Sequence, residues 1–501
     1  MTIENGMIAL IAPVVLSIAI IVLMMQIAFW RNTTVSWFIA WISFAAAMLM
    51  LVFPINGGTV VSGSSNSVAQ QVTPLLVADS YSILFSLLIL FACWITALLA
   101  KDYLHSRTGE NEEFYLLLLL SGLGALILVS ATHVASFLLG LELLGVALYA
   151  LIAYPERGHL PLEAAIKYLI LSGAASAILL FGFALIYAAL GTLSFTGIGY
   201  QLTQTNGNQA LLLMGTAMIF TGIGFKLSLV PFHMWTPDVY QGAPAPVTGF
   251  LATVSKTAIF AALVRLFVDA RLYQYESLLL GISLLAIASM LVGNLLALKQ
   301  NSLKRLLAYS SIAHLGYLLI TLVVYGHLQQ PHIAVEATNF YLSAYVITSL
   351  AAFGLLSILA SPIGKENALT DPPDTDQLDQ LRGLFWRQPL LALLLTIAML
   401  SLAGIPLTVG FIGKFYLFTA GISAELWVLL GALVIGSGIG IYYYLRVVFA
   451  MTAQATGDES ATNNQQLTSV AILVVWILIV GMLYLGIFPQ SFIEYLAGVI
   501  L

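Results

Sequence analysis

Long apolar runs alternate with short polar connectors along the whole chain, and each run is long enough to cross a bilayer. A spanning helix takes about 20 mostly apolar residues. Fourteen runs meet that length, at approximately 6–28, 34–53, 78–99, 113–130, 132–154, 163–189, 210–230, 246–268, 276–297, 304–325, 335–361, 388–418, 426–449 and 469–488. Two connectors stand apart. Residues 56–77 are rich in Gly, Ser and Asn, and residues 362–387 are acidic and contain proline; both predict surface loops. Two prolines bear on span continuity, Pro231 at the end of the seventh run and Pro406 well inside the twelfth. Proline removes an amide donor and clashes with the preceding turn, so spans seven and twelve are predicted to break.

Composition supports the same class. Hydrophobic residues make up 60% of the 501 and charged residues only 8%, against about 25% charged in a soluble domain. An all-α integral membrane protein of about 14 transmembrane helices is expected, with the lipid bilayer as its solvent. The single cysteine, Cys93, excludes an internal disulfide and any cluster or zinc held by several cysteines. No glycine-rich phosphate-binding motif stands in a strand-to-helix setting, and nothing suggests a nucleic-acid partner. The opening residues, Met1 to Asn5, lack the basic stretch of a cleaved signal, so the first run reads as a retained helix.

Basic residues set the orientation. Arg31, Lys101, Arg107, Arg157, Lys299, Lys304, Arg305, Lys365, Arg382 and Arg387 lie in or beside odd-numbered connections, and even-numbered connections hold only Arg271. Cytoplasmic loops carry the Lys/Arg excess, so odd connections are expected to face the cytoplasm and both termini the outer side. The remaining Lys167, Lys226, Lys256, Arg265, Lys414 and Arg446 lie in or at the ends of spans.

Charges in hydrocarbon cost several kcal/mol and persist where they pair, meet water or work. Glu142 sits midway along span five between Gly140 and Gly145. Its first candidate partner is Lys167 in span six, although Lys167 also stands four residues after Glu163, the spacing of an ordinary helical ion pair. Lys226 precedes the predicted break near Leu229–Pro231, with His233 just beyond it. A broken helix at membrane depth is tolerated only where it is enclosed by protein or lines a wet cavity. Lys256 lies mid-span, too far from either end to snorkel. Pro406 and Lys414 repeat the device in span twelve, and the separations Pro231 to Pro406 and Glu142 to His314 are nearly equal, 175 and 172 residues. Equal offsets suggest two five-helix repeats, spans 4–8 and 9–13. An odd number of spans inverts the second copy, and broken helices at matching places in inverted repeats point to an ion path near the midplane. Glu142, Lys167, Lys226, Lys256, His314 and Lys414 are therefore the candidate proton-carrying groups, with His233 and Glu163 as secondary candidates. Arg265 and Arg446 read as snorkelling anchors, His133 as structural, Asp238 and Tyr240 as loop-ordering, and Tyr442–Tyr444 and Trp386 as interface aromatics. No residue is predicted to bind a metal or cofactor.

The stretch GFKLSLVPFHMWTPDVYQGAPAPV closely resembles the signature of the proton-translocating membrane subunits of respiratory complex I and of the multisubunit cation/proton antiporters. LLGLELLGVALY, PLEAAIKYLILSGAASA, KRLLAYSSIAHLGYLL, RGLFWRQP and LSLAGIPLTVGFIGKFY resemble the subunit N type of bacterial complex I in particular. Subunit M carries glutamate at the helix-twelve position and subunit L adds a long lateral helix. This chain has Lys414 and stops at Leu501, which fits N. The resemblance implies Glu142 coupled to Lys226, Lys256 as central relay, and Lys414 opening toward the outer face. It implies a non-redox subunit of an NADH:quinone oxidoreductase, a translocase in the respiratory electron-transport chain. FMN, iron–sulfur clusters, NADH and quinone would be held by other subunits, and antiporter-like subunit M with small subunits K and J would be neighbours. The expected division is 1–112 (helices 1–3), 113–270 (first repeat), 271–450 (second, inverted repeat) and 451–501 (helix 14). Two rivals remain: a subunit of a cation/proton antiporter, and a structural spacer that conducts nothing.

Overall fold

The computed structural model describes residues 3–56, 70–105, 111–154, 159–204, 208–328, 332–360, 374, 376–454 and 469–499. Among them the chain is almost wholly helical, an all-α multi-pass membrane protein. The helices are α1 (Ile3–Phe29), α2 (Thr33–Asn56), α3 (Ser80–His105), α4 (Glu112–Val129), α5 (Val134–Ile152), α6 (His159–Leu190), α7 (Phe195–Gln204), α8 (Gln209–Lys226), α9 (Trp235–Gly242), α10 (Ala245–Phe250), α11 (Lys256–Asp269), α12 (Glu276–Ala297), α13 (Leu303–His327), α14 (His332–Leu359), α15 (Leu384–Arg387), α16 (Pro389–Ala403), α17 (Val409–Ser423), α18 (Trp427–Thr452), α19 (Ser469–Ile487) and α20 (Gln490–Ala497).

Twelve continuous spans are long and apolar enough to cross a membrane, and α19 with α20 forms a thirteenth, bent by 82°. The shorter pair α16 and α17 covers the twelfth predicted run, so every predicted run has its helix. Both predicted breaks are present. Span seven is α8 and α9 with turns over 227–234, and span twelve is α16 and α17 with turns over 404–408. Span eight runs from Ala245 to Asp269, interrupted by a π-helical turn at Leu251–Ser255 that the sequence pattern did not signal.

The interior is built from the spans that carry few outward side chains. Helix α13 is buried along all but its ends, and Ala245–Asp269 nearly throughout. Helices α1, α2, α6 and α12 leave apolar faces outward, among them Ile18, Leu49, Ile170 and Leu284, as lipid contact requires. Glycine sets the closest approach of α4 and α5. A Cβ on Gly140 would lie 2.8 Å from the Leu128 amide nitrogen, and one on Gly124 2.5 Å from that of Leu144. Small residues let membrane helices meet backbone to backbone, which fixes the helix that presents Glu142.

Neither polar connector is a plain surface loop. In 56–77 the described part forms an antiparallel hairpin, Gln70–Thr73 with Leu76–Ala78; residues 57–69 lie outside the described set. In 362–387, Asp374 is a nearly buried acceptor of Lys304, of the Tyr103 hydroxyl at 2.8 Å and of the Ala245 amide at 3.1 Å. Ser302 donates to Asp376 and Leu378 N donates to the Asn301 carbonyl at 2.8 Å. This segment ties down the first residues of α10 and α13. Of the residues that set the expected orientation, Arg107, Arg157 and Lys365 lie outside the described set.

Candidate functional site

Glu142 is half-buried on α5, and its Oε1 has no hydrogen-bond partner among the described residues. One turn on, a Cβ at Gly145 would lie 3.7 Å from Lys226 Nζ, so the ammonium rests against α5 within coulombic reach of the carboxylate. Lys226 Nζ donates to Ser172 Oγ of α6 at 2.7 Å, and Ser172 shares a 2.8 Å hydrogen bond with the Tyr149 hydroxyl. Glu142 thus acts on Lys226 through its charge, while the hydroxyls of Ser172 and Tyr149 hold the ammonium.

Lys167 is placed elsewhere. Its Nζ lies 2.7 Å from Glu163 and 3.1 Å from Asp238, with its side chain 43% exposed. Asp238 also takes Arg305 at 2.7 Å. The helical pair with Glu163 is therefore the one formed, and Asp238 does more than order a loop: it bridges α6 to α13. Neither Lys167 nor Glu163 joins the buried row.

Lys226 ends α8, and the break after it is a polar surface. Ser228 has a left-handed backbone (φ 64°) and accepts from Thr236 at 2.6 Å. Lys256 Nζ donates to Ser228 Oγ at 3.1 Å and lies 3.5 Å from the Leu227 carbonyl. A helix C-terminus leaves carbonyls without intrahelical partners, and a buried ammonium satisfies them. The π-turn aims the lysine here: an extra residue per turn rotates everything after it, and Lys256 follows immediately. Both nitrogens of His233, in the same break, are buried without a well-formed hydrogen bond.

Beyond Lys256 the groups are hydroxyls and one histidine. Lys256 Nζ lies 5.6 Å from the Tyr240 ring centroid. Helix α13 then supplies Ser311, bonded to the Tyr345 hydroxyl at 2.7 Å, and His314, whose Nδ1 meets the Tyr341 hydroxyl at 2.7 Å. His314 Nε2 lies 3.4 Å from the Tyr444 hydroxyl, and Tyr444 also meets Ser310. Tyr317 is bonded to Asn294 at 2.9 Å, and Asn294 accepts from Tyr443 at 3.0 Å.

Lys414 Nζ lies 5.5 Å from the Tyr317 ring and donates to the carbonyls of Leu402 (3.1 Å) and Ala403 (2.8 Å), the last of α16. This is the arrangement at Lys256 again, an ammonium on the carbonyl end of a broken helix. Gly404 caps α16 with φ 83°, and a Cβ there would lie 2.8 Å from Lys414 Cδ; only glycine meets both conditions. Among the described residues no carboxylate forms an ion pair with Lys226, Lys256 or Lys414.

Several residues lie other than where the sequence pattern put them. Arg265 does not snorkel: it is buried and makes a bidentate pair with Asp79 at 2.7 and 2.9 Å. Arg446 donates to the carbonyls of Leu298 (2.9 Å) and Gln300, tying α18 to the turn after α12. Tyr443 and Tyr444 are buried, beside Asn294 and His314. Tyr442 and Trp386 are exposed, as interface aromatics should be. His133 caps α5 through Nδ1. Ser172, Ser228, Tyr149, Tyr341 and Tyr345 were not singled out by sequence; uncharged hydroxyls carry no burial signal of their own. Among the described residues no group of three or more His, Cys, Asp or Glu could hold a metal ion.

A family model described as "NADH:quinone oxidoreductase/Mrp antiporter, TM" matches residues 131–440, more than half of the chain and the whole stretch from Glu142 to Lys414. The chain belongs to this family. It is similar to a chain of respiratory complex I from Thermus thermophilus with bound aureothin, at 33% identity over 97% of this chain and 99% of that one, with a TM-score of 0.80. It is also similar to a chain of the Mrp complex from Dietzia sp. DQ12-45-1b (19% identity, 98% and 97% covered, TM-score 0.83). A chain of the membrane-bound sulfane sulfur reductase, an archaeal respiratory membrane complex, matches at 23% identity (99% and 97% covered, TM-score 0.80). The last two likenesses are of fold. All three are chains of membrane complexes, and the antiporter-like membrane domain is common to them and to this chain.

Proposed function

We propose that this chain is a proton-translocating, non-redox subunit of a bacterial NADH:quinone oxidoreductase, of the subunit N type. The observation that carries the reading is the buried row from Glu142 through Lys226, Lys256 and His314 to Lys414. It runs from one broken helix to the other, with Lys226, Lys256 and His314 each bonded to a hydroxyl and Lys414 to backbone carbonyls, and water would bridge the gaps between them. Titratable groups held one hydroxyl or one water apart can hand on a proton. A charge moved at one end changes the affinity of the next lysine for its own proton. Identity to a complex I chain across nearly the full length supports that setting over the antiporter one.

In this reading redox chemistry belongs to other subunits, which hold FMN, iron–sulfur clusters, NADH and quinone. The partners are the antiporter-like subunit M and the small subunits K and J in an inner membrane, with both termini periplasmic. Spans 4–8 and 9–13 act as inverted repeats, one lysine-bearing break in each. The second reading, a cation/proton antiporter subunit, rests on the family model and fold shared with the Mrp complex.

Two measurements decide. Purification from native membranes should bring flavin and iron–sulfur subunits along with this chain. Sodium/proton exchange in vesicles lacking NADH oxidation would instead favour the antiporter. In inverted vesicles, Glu142→Gln should lower NADH-driven proton uptake roughly a hundredfold at normal subunit abundance, the low end of what a positioned proton-transfer group contributes, and Glu142→Asp should partly survive. Full uptake by the Gln variant would refute the path.

A further inference from the structure

An apolar cavity of about 270 Å³ lies well away from the buried row, between α6, α7, α8, the end of α11 and the start of α12. Its walls include Phe183, Ile198, Leu213, Phe220, Leu266 and Leu278. It reaches the chain surface, because Leu213 and Tyr275 on its rim are 65% and 40% exposed. The cavity's few polar side chains, Gln209, Thr216, Tyr275 and Ser277, lie near the 6–7 and 8–9 connections, at one end of the spans.

Arg271 stands at that same end. Residues Ala270 and Leu272 line the cavity, and the arginine between them is exposed with a left-handed backbone (φ 52°). Its amide and carbonyl are engaged, to Val268 and from Gln274. Among the described residues its guanidinium has no hydrogen-bond or ion-pair partner. Of the nearby carboxylates, Asp269 acts on Arg265 and Asp79, and Glu276 is exposed in the first turn of α12. Arg271 is also the basic residue that breaks the charge asymmetry, lying in an even-numbered connection where all other connector cations are in or beside odd-numbered ones. Arg271, in sequence between two residues that line an apolar slot at the chain surface, supplies with it two halves of one recognition: a guanidinium fork for phosphate and an apolar slot for a hydrocarbon tail.

We propose that this cavity is a binding site for an anionic phospholipid, with one acyl chain between α6, α8 and α12 and its phosphate on Arg271. The site takes lipid from the leaflet on the side of the even-numbered connections. A neutral lipophile such as a quinone would use the slot without the arginine, and a plain anchoring role for Arg271 would not order an acyl chain in the cavity.

The test uses the full chain in its native membrane complex. A phosphatidylglycerol analogue carrying a diazirine in mid-chain is introduced into membranes and photolysed, and labelled peptides are mapped by mass spectrometry. Labelling should concentrate on 209–220 and 277–280 and compete with unlabelled phosphatidylglycerol but not phosphatidylcholine. It should fall at least fivefold in Arg271→Gln and in the cavity-filling Thr216→Trp, and persist in Arg271→Lys. Subunit abundance is measured in each variant, and Arg271→Gln, at an exposed site, should assemble normally. Equal labelling by a phosphatidylcholine analogue overturns the proposal. So does undiminished labelling in Arg271→Gln, or competition by a quinone that is indifferent to Arg271.

Discussion

Replacing Lys256 separates a relay from a strut. In the native chain its ammonium makes one good hydrogen bond, 3.1 Å to Ser228 Oγ, and one long contact of 3.5 Å to the Leu227 carbonyl. A hydrogen bond from a charged donor is worth about 1.5–3 kcal/mol, so Lys256→Met forfeits roughly 2–3 kcal/mol. Against that stands the desolvation of the ammonium, several kcal/mol with no carboxylate to offset it. Ser228 keeps Thr236 as a partner and is not orphaned, and methionine has a length close to the lysine stem. The two sides nearly cancel, and Lys256→Met should change stability by no more than about 2 kcal/mol in either direction. Transport should respond differently, falling to the level of a blocked path. Lys256→Arg keeps a cation in reach of the same acceptors yet cannot release a proton at accessible pH, and its larger head must fit among buried side chains. It should be impaired as well. The assay is NADH-driven proton uptake in inverted vesicles with subunit abundance and detergent-solubilised melting followed in parallel. Normal uptake by the arginine variant at normal abundance would make Lys256 an electrostatic anchor and refute the reasoning.

Asp79→Ala strands the Arg265 guanidinium in the interior and should cost about 3–5 kcal/mol, read as earlier aggregation on a temperature ramp, whereas the double change Asp79→Leu with Arg265→Leu should recover most of it. Lys167→Ala should leave proton uptake near the parent level and stability within about 1 kcal/mol, because exposed ion pairs contribute little; loss of uptake at normal abundance would return Lys167 to the path. Gly404→Ala meets both a left-handed backbone and the Lys414 side chain, so it should destabilise by about 1–3 kcal/mol and lower uptake by displacing Lys414, with Gly438→Ala, which has open space around it, as the harmless control.

What the sequence made legible follows from how strongly each feature is penalised elsewhere. Helices at every predicted run, and breaks at Pro231 and Pro406, were readable because apolar length and proline have few other meanings in a bilayer. Lysines in mid-span were readable because burial without function is costly. The links between them were not. Ser172 and Tyr341 sit in ordinary helical surroundings and Ser228 in the break after α8, and they meet the titratable groups only through residues 54, 27 and 28 positions away. Lys167 and Arg265 show the same limit from the other side. Both stand near the ends of spans, where sequence offers pairing and snorkelling alike, and the choice was made by Asp238 and Asp79, each brought in from another segment. The π-turn before Lys256 had no proline or glycine to announce it.

The two broken helices solve one problem in two ways. Each break leaves carbonyls at the end of a half-helix, and each carries the negative end of that half-helix's dipole into the interior. At span twelve the helix answers for itself: Lys414, on the half that follows, folds back onto Leu402 and Ala403, so the lysine and its acceptors move together. At span seven the answer comes from a different helix, and Lys256 reaches across to Leu227 and Ser228, directly beside Lys226. A shift of α8 relative to α11 therefore changes the solvation of two lysines at once, while the contact at Lys414 is insulated from such a shift. The two contacts thus differ in which element holds the acceptors, although the chemistry, an ammonium on the carbonyl end of a half-helix, is the same.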